Sequence, residues 1–209
     1  MDKLNLLIAG IGGQGIIAAS DIVAESALAA GFDVKKTDSL GMAQRGGSVV
    51  SHIRLAAKVW SPLIKMGEVD IILAFEKLEA ARWGHYLRPG GIAIINDLAV
   101  PPLSVSLGNE HYPGDDEITS ILKQHTENIY ILEGTRRARD LGSSKILNTL
   151  MLGCLSHFIP FEDSIWQECI AHRMPSKVVK LNITAFEQGR REMENMLNMK
   201  TESADATSG

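Results

Sequence analysis

Short apolar runs alternate with segments of helical periodicity along the chain as far as residue 132. An apolar run of roughly four to eight residues bounded by turn residues is typical of a buried strand. Such runs predict strands at residues 4–9, 32–36, 48–55, 69–75, 92–96, 104–107 and 129–132. The run at 69–75 (VDIILAF) is the strongest of these signals.

Apolar residues three and four positions apart predict the helices between these strands. Helices are expected over residues 16–30, 76–87 and 118–122, followed by three more beyond Gly134. In the second of them we expect three side chains to face the core: Leu78, Ala81 and Tyr86. Ser176 follows a proline and is suited to cap the long last helix.

Strand and helix alternate and the chain ends in helices, which predicts an α/β fold. We expect three α/β/α layers around a mostly parallel sheet, with a helical C-terminal part. The reversals around residues 48–69 indicate that one or two strands can run antiparallel, so that the sheet is mixed. Residues 1–199 should form a single domain, and the small polar residues 200–209 should be a disordered tail.

Composition and charge exclude several classes of function. The 209 residues carry a net charge of −4, whereas a general nucleic-acid binder shows a basic stripe. No apolar run approaches the roughly 18–20 residues of a membrane helix, so no membrane association is expected. The two cysteines, Cys154 and Cys169, are too few for an iron–sulfur cluster with about four thiolate ligands. We expect both to be buried in a cytoplasmic protein.

The first glycine-rich loop follows the first strand and precedes the first helix. Gly10, Gly12, Gly13, Gln14 and Gly15 fit the pattern G-x-G-x-x-G in this context. Glycines allow the backbone to approach a ligand closely, and the N-terminus of a helix offers free N–H groups to an anion. A phosphate, a pyrophosphate or a carboxylate would fit this loop. Alternatively, the glycines only permit tight packing of the strand against the helix.

A second glycine-rich segment lies just before the third strand. Gln44, Arg45, Gly46 and Gly47 place an amide and a cation among flexible residues. If the second strand ends near Asp38, this segment starts at the same sheet edge as the first glycine loop. Gln44 and Arg45 would then meet an anionic group through charge-assisted hydrogen bonds. The alternative is that Arg45 lies on the surface or at a subunit contact.

The sequence contains no recognisable catalytic motif. It lacks a G-x-S-x-G elbow, a P-loop lysine, an H-E-x-x-H pair and histidines at metal-ligand spacing. We therefore predict no catalytic residue and no metal site. A dinucleotide-binding interpretation would also need an acid at the end of the second strand, and Asp33 and Asp38 both lie in that region. A stand-alone Rossmann-like protein thus stays open as an alternative.

Several segments together resemble one family over residues 4–190. These segments are AGIGGQGI, SLGMAQRGGSVVSHIR, SPLI with VDIILAFEKLEAAR, and NTLMLG. They resemble the gamma-type component of the 2-oxoacid:ferredoxin oxidoreductases. A separate chain of this size is most similar to the small (beta) subunits of the members that act on indolepyruvate and other arylpyruvates.

The resemblance implies a subunit that is active only with a larger, alpha-type catalytic subunit. Such enzymes oxidatively decarboxylate a 2-oxoacid to an acyl-CoA, with ferredoxin as electron acceptor. It also implies that thiamine diphosphate and the iron–sulfur clusters lie on the partner and that coenzyme A is a co-substrate. A dimer of heterodimers is expected. The glycine loops would hold coenzyme A or the substrate carboxylate, unless the subunit is purely structural.

Two segments depart from the family's pattern, a basic run and the polar tail at residues 200–209. The basic run Arg136-Arg137-Ala138-Arg139 is either a solvated helix face or a contact for an acidic partner surface.

Overall fold

A six-stranded mixed sheet lies between two layers of helices in the computed structural model, which describes residues 2–40, 46–108 and 110–207. The strands follow the order β2-β3-β1-β4-β5-β6 across the sheet. Their bounds are β1 Lys3–Ile11, β2 Asp33–Leu40, β3 Ser48–Ala56, β4 Val69–Ala74, β5 Leu87–Asn96 and β6 Asn128–Leu132. The predicted α/β fold with a mostly parallel, mixed sheet is confirmed.

The reversed strand is β3. It pairs antiparallel with β2 on one side and with β1 on the other, while β1, β4, β5 and β6 pair in parallel. Consequently β2 runs in the same direction as β1, with β3 between them. The reversal arises because β2 and β3 are joined as a hairpin, whereas parallel neighbours require a longer crossover connection.

Alternate residues of the central strands enter two separate cores, as the period of two requires. Leu6 and Ile8 pack into the core formed with α1, α6, α7 and α8, whereas Leu7 and Ala9 face α2 and α4. The helices are α1 Ile16–Ala29, α2 Lys77–Trp83, α3 Leu103–Ser106, α4 Asp115–Lys123, α5 Gly134–Asp140, α6 Leu147–Ser156, α7 Asp163–Arg173 and α8 Ser176–Thr207. The three expected layers are therefore present.

The prediction of a strand at residues 104–107 is wrong. The segment forms the short helix α3, which begins after Pro102, and the amide of Leu107 donates to the carbonyl of Leu103 at 2.9 Å. Val105 is β-branched, a residue type that is enriched in strands. No residue of α3 is buried, and the segment pairs with no strand, so local hydrogen bonds decide its conformation.

The helix expected over residues 76–87 is shorter than its pattern indicates. The α-helix ends at Trp83 and continues as a 3-10 turn, Gly84–Tyr86. Its buried residues are Lys77, Glu79, Ala80 and Ala81. Leu78 and Tyr86, which were expected to face the core, are only half-buried. An acid has therefore taken a position in this helix where the pattern favours an apolar residue.

The last helix continues through Thr207, where the sequence indicates a disordered tail from residue 200. Glycine and proline are the residues that disfavour a helix most, and residues 176–207 contain only one of them, Gly189. The polar residues after residue 199 are compatible with a helix, so α8 extends through them. The domain boundary at residue 199 stays a prediction.

Helices α6 and α8 approach each other with no space for side chains at one point. A Cβ atom on Gly153 would lie 2.0 Å from the carbonyl oxygen of Phe186, and one on Gly189 would lie 1.9 Å from that of Leu150. Next to this crossing the Thr149 hydroxyl donates to the Asn182 side chain at 2.6 Å. Two glycines thus allow the two helix backbones to touch.

Cys154 lies in the same helix pair and is fully buried, and its Sγ contacts the carbonyl of Gly189 at 3.2 Å. Burial raises the pKa of this thiol far above its ordinary value, which makes it unreactive. Cys169 differs from the expectation, because it is only half-buried.

Within residues 2–40, 46–108 and 110–207, no helix is long and apolar enough to cross a membrane.

Candidate functional site

The two glycine-rich segments meet at the carboxyl edge of the sheet. The amide of Gly12 donates to the carbonyl of Gly47 at 2.9 Å, and the amide of Gly46 donates to that of Gly12 at 3.5 Å. The register explains the contact, because Val49 at the start of β3 lies between Leu40 of β2 and Gly10 of β1. The two loops start at one edge, as the sequence predicts.

The side chain of Gln14 is used inside the first loop. Its Oε1 accepts a hydrogen bond from the amide of Ile11 at 2.8 Å, and its Nε2 donates to the carbonyl of Phe75 at 3.4 Å. Gly10 allows this arrangement, since a Cβ atom there would lie 2.6 Å from Gln14 Oε1. Gln14 therefore fixes the loop against the end of β4. The donors that the loop can offer to a ligand are backbone amides.

Gly15 starts α1 with a left-handed backbone conformation, φ 80°, and Gly13 has φ 103°. These values favour glycine over any residue with a side chain. The first N–H groups of α1 have no acceptor within the helix, so they are suited to an anion. Asn148 of α6 lies beside them, with its Nδ2 3.2 Å from where a Cβ of Gly15 would be.

Gln44 and Arg45 lie outside the described residues. Gly46 and Gly47 are described, and they line a cleft of about 390 Å³ at the same edge. The opposite wall of the cleft is formed by α2 and by the segment that leads into α3. The side chains that contribute charge or hydrogen bonds to this cleft are Ser48, Glu76, Glu79 and Arg82. Sequence reasoning missed all four as site residues.

Glu76 follows β4 and is almost completely buried. Its carboxylate accepts three hydrogen bonds: from the amide of Glu79 at 2.9 Å, from the amide of Val100 at 3.0 Å and from the hydroxyl of Tyr112 at 2.5 Å. The first of these caps α2. Burial and the neighbouring carboxylate raise the pKa of Tyr112, so this hydroxyl remains a donor. Glu76 thereby joins α2 to the segment that leads into α3.

Glu79 is the second buried acid of the cleft. It accepts hydrogen bonds from the Ser48 hydroxyl and from Trp83 Nε1, the latter at 3.3 Å, and it forms an ion pair with Arg82 at 3.3 Å. Burial raises the pKa of the Glu79 carboxyl, and these partners offset only part of that effect. The contact with Ser48 connects α2 to the strand that follows the second glycine segment.

The buried position of Glu79 predicts a characteristic pH dependence of stability. Between its ordinary pKa of 4.5 and its raised value, the folded chain binds more protons than the unfolded chain. The contribution of Glu79 to the free energy of unfolding is therefore complete below pH 4.5, and it is lost as the pH rises through the raised pKa. We expect Glu79→Gln to remove this loss.

Urea unfolding of both proteins at several values between about pH 4.5 and pH 7.5 measures the effect. The free energy of unfolding of Glu79→Gln minus that of the wild type should increase with pH. A difference that stays constant over this range would contradict the assignment.

The carboxylates required for dinucleotide binding are engaged elsewhere. Asp38 accepts a hydrogen bond from the Ser51 hydroxyl at 2.5 Å and pairs with Lys36 at 3.0 Å. Asp33 accepts from the amide of Val59 at 2.9 Å. In addition, β3 separates β2 from β1, whereas the Rossmann order places the second strand beside the first. The stand-alone Rossmann-like alternative is not favoured.

The basic run lies in α5, and two of its three arginines form ion pairs within the chain. Arg136 pairs with Glu133, and Arg137 pairs with Glu192 at 3.3 Å. Arg139 is exposed. These surface pairs agree with a solvated helix face.

Across the described part of the chain, no group of three or more His, Cys, Asp or Glu side chains is arranged to hold a metal ion.

Comparison with known proteins identifies close relatives over nearly the full length. The sequence model of the family described as pyruvate ferredoxin/flavodoxin oxidoreductase matches residues 5–192. The chain is 33% identical over 202 residues to the indolepyruvate oxidoreductase subunit IorB of Thermococcus kodakarensis, covering 95% of this chain and 100% of the relative. It is 36% identical over 189 residues to the subunit of the same name from Archaeoglobus fulgidus, covering 90% and 94%.

Solved structures support the fold. The gamma subunit of a keto/oxoacid ferredoxin oxidoreductase from Geobacter sulfurreducens superimposes with a TM-score of 0.68. The alignment covers 92% of this chain and 99% of that subunit, at 22% sequence identity. At this identity the likeness concerns the arrangement of strands and helices, and it matches the three-layer architecture described above.

Proposed function

Because the chain belongs to the pyruvate ferredoxin/flavodoxin oxidoreductase family, we propose that it is the small subunit of a ferredoxin-dependent 2-oxoacid oxidoreductase. The enzyme oxidatively decarboxylates an arylpyruvate such as indolepyruvate to the corresponding acyl-CoA. The observation that carries this proposal is the end-to-end similarity to subunits named for indolepyruvate.

The proposal divides the work between two chains. An iron–sulfur cluster takes about four thiolates, and this chain has two cysteines, of which Cys154 is buried between helices. The clusters are therefore assigned to a larger catalytic subunit, which also delivers electrons to ferredoxin. The family resemblance assigns thiamine diphosphate to the same subunit. A dimer of heterodimers in the cytoplasm is the assembly we propose.

The contribution of this chain is an anion-binding edge beside the active site. The backbone amides of Gly13 and Gly15 would hold a phosphate of coenzyme A or the substrate carboxylate, whereas the amide of Gly12 already donates to the carbonyl of Gly47. Gln44, Arg45, Gly46 and Gly47 would add the second wall, with Arg45 supplying the charge. What supports this is the contact between the two loops and the free N–H groups at the start of α1.

Reconstitution tests the proposed function directly. The chain is co-expressed with its cognate larger subunit, and the purified complex is analysed for iron and thiamine diphosphate. Reduction of ferredoxin by indolepyruvate should require both chains and coenzyme A. Full activity of the larger subunit alone, or tight binding of NAD(H) by the isolated chain, would overturn the proposal.

Replacing Arg45 with alanine should raise the apparent KM of the assembled enzyme for coenzyme A or for the 2-oxoacid. Loss of a charge-assisted hydrogen bond predicts an increase of about tenfold. The matched control is Arg191→Ala, because Arg191 is an exposed arginine on α8. Unchanged KM values for both coenzyme A and the 2-oxoacid would show that Arg45 does not contact either substrate. If variants in both glycine loops alter only assembly, the subunit is purely structural.

A further inference from the structure

The loop between β3 and β4 exposes three large apolar side chains, which are spaced three residues apart. We call residues 57–67 the Trp60 loop. Trp60 is 86% exposed, Leu63 62% and Met66 68%. Tryptophan is normally well buried on average, and exposed large apolar side chains gathered in one ordered loop indicate an interaction surface. The motif SPLI lies in this loop, and the glycine-loop chemistry does not account for it.

The Trp60 loop is held in place from beneath. Arg54 Nη1 donates to the carbonyls of Ser61 at 3.4 Å and of Leu63 at 3.3 Å, while its Nε donates to Asn5 at 3.1 Å. The amide of Ile64 donates to His52 Nδ1 at 3.4 Å, and the Ile64 side chain is buried.

The amide of Val59 is fixed by Asp33, as described above, and its side chain is also buried. Two apolar side chains therefore anchor the loop while three point to solvent. An ordered loop of this kind loses little entropy on binding.

The charge around these side chains is mainly positive. Residues 54–68 contain Arg54, Lys58 and Lys65 and one acid, the exposed Glu68, in a chain of net charge −4. Lys58 also lies 3.8 Å from the carboxylate of Asp33. A depression of about 200 Å³ beside Trp60 is lined by Lys3, Arg54 and Lys58 among others. The surface thus fits an apolar contact surrounded by carboxylates.

We propose that the Trp60 loop docks on the larger subunit, at an apolar pocket with an acidic rim. The proposal rests on the proposed function, because it requires the heteromeric enzyme. A second copy of this chain fits less well, since a two-fold symmetric contact would place the same cations against each other. Tryptophan and arginine are the residues that most often dominate binding energy at such interfaces.

The position of the loop separates docking from ligand binding. Ala56, just before the loop, pairs with Lys3 at the start of β1, whereas the glycine loops lie at the other end of that strand. The nine residues of β1 span about 30 Å. The larger subunit therefore contacts this chain at two places, and a variant in the Trp60 loop should not alter the constants of the assembled enzyme.

The test is a titration of the cognate larger subunit with the full-length small subunit. Trp60→Ser should weaken the complex by about thirtyfold, as expected for a hot-spot residue. At saturation kcat and the KM values should equal those of the wild type. Met66→Ser should weaken the complex and its matched control Met199→Ser should not, because Met199 is 69% exposed on α8.

Two further measurements address charge and accessibility. Lys58→Glu combined with Lys65→Glu should weaken binding and flatten its dependence on salt. In the free chain N-bromosuccinimide should oxidise Trp60, which is exposed, and spare Trp166, which is fully buried. Mass spectrometry should then show that Trp60 is protected in the complex.

Equal affinity of Trp60→Ser and Met199→Ser, with Trp60 equally oxidised in the complex, would overturn the docking site and leave the proposed function intact. Failure of the wild type to bind the larger subunit would overturn both. Trp60-dependent dimerisation of the free chain, or Trp60-dependent binding to vesicles of phosphatidylcholine and phosphatidylserine, would assign the loop to another occupant.

Discussion

Replacing Gly189 with alanine is expected to lower the free energy of unfolding by about 3 kcal/mol or more, the upper range for overpacking. The new Cβ atom would lie 1.9 Å from the carbonyl oxygen of Leu150 and 3.0 Å from the amide nitrogen of Cys154. Both are backbone atoms, so no side chain can rotate away, and α6 and α8 must separate. Separation would also open the buried contacts around Phe186, which is fully buried between these helices and the sheet.

The measurement is urea unfolding followed by circular dichroism, and the matched control is Gly114→Ala. Gly114 precedes α4 with φ −70°, and a Cβ atom there would meet nothing within 4 Å. Loss of stability in the control should stay below about 1 kcal/mol, since only a capping preference changes. Equal effects of the two substitutions would show that the α6–α8 crossing can relax and that close packing at Gly189 is not required.

The regular parts of the fold could be predicted from the sequence because periodicity reports burial directly. The apolar run in β4 and the alternation in β3 led to strands with nearly correct bounds. The segment at residues 104–107 could not be predicted in this way. Its short apolar pattern is compatible with either conformation, and the absence of a pairing strand becomes known only from the tertiary structure.

The sequence identifies the glycines of the candidate site and does not identify its two buried acids. The sequence predicts that the two glycine loops start at one sheet edge, and the hydrogen bond from the Gly12 amide to the Gly47 carbonyl agrees with that expectation. Glu76 and Glu79 looked like acids that favour the positive end of a helix dipole. The available signal was their position, since both lie within the five residues that follow β4.

The close contact between α6 and α8 also could not be predicted from the sequence. Gly153 and Gly189 each lie inside a helical pattern, where a glycine costs about 1 kcal/mol relative to alanine. A glycine kept at that cost indicates a packing or functional reason. Which two glycines face each other is a tertiary property, because they are separated by a complete helix, α7, in the chain.

Replacing Glu76 with alanine should have the second large effect, a loss of about 2–4 kcal/mol of unfolding free energy. Each buried donor left without an acceptor costs about 1–3 kcal/mol, and relief of the buried charge offsets part of the sum. The amide of Glu79 loses its cap, the hydroxyl of Tyr112 loses its acceptor, and the amide of Val100 is released. Because Val100 is 39% exposed, water can replace its partner, and this contribution should be the smallest.

Two conservative variants separate these contributions. Tyr112→Phe removes one donor together with its need for an acceptor, so the loss should be about 1 kcal/mol. Glu76→Gln keeps one acceptor oxygen and should lie between Tyr112→Phe and Glu76→Ala. Released from Glu76, the segment that carries Val100 should also become sensitive to limited proteolysis between β5 and α4, whereas β4 should remain protected. If Glu76→Ala were as stable as the wild type and equally resistant to protease, the carboxylate would not be the link between α2 and the segment that leads into α3.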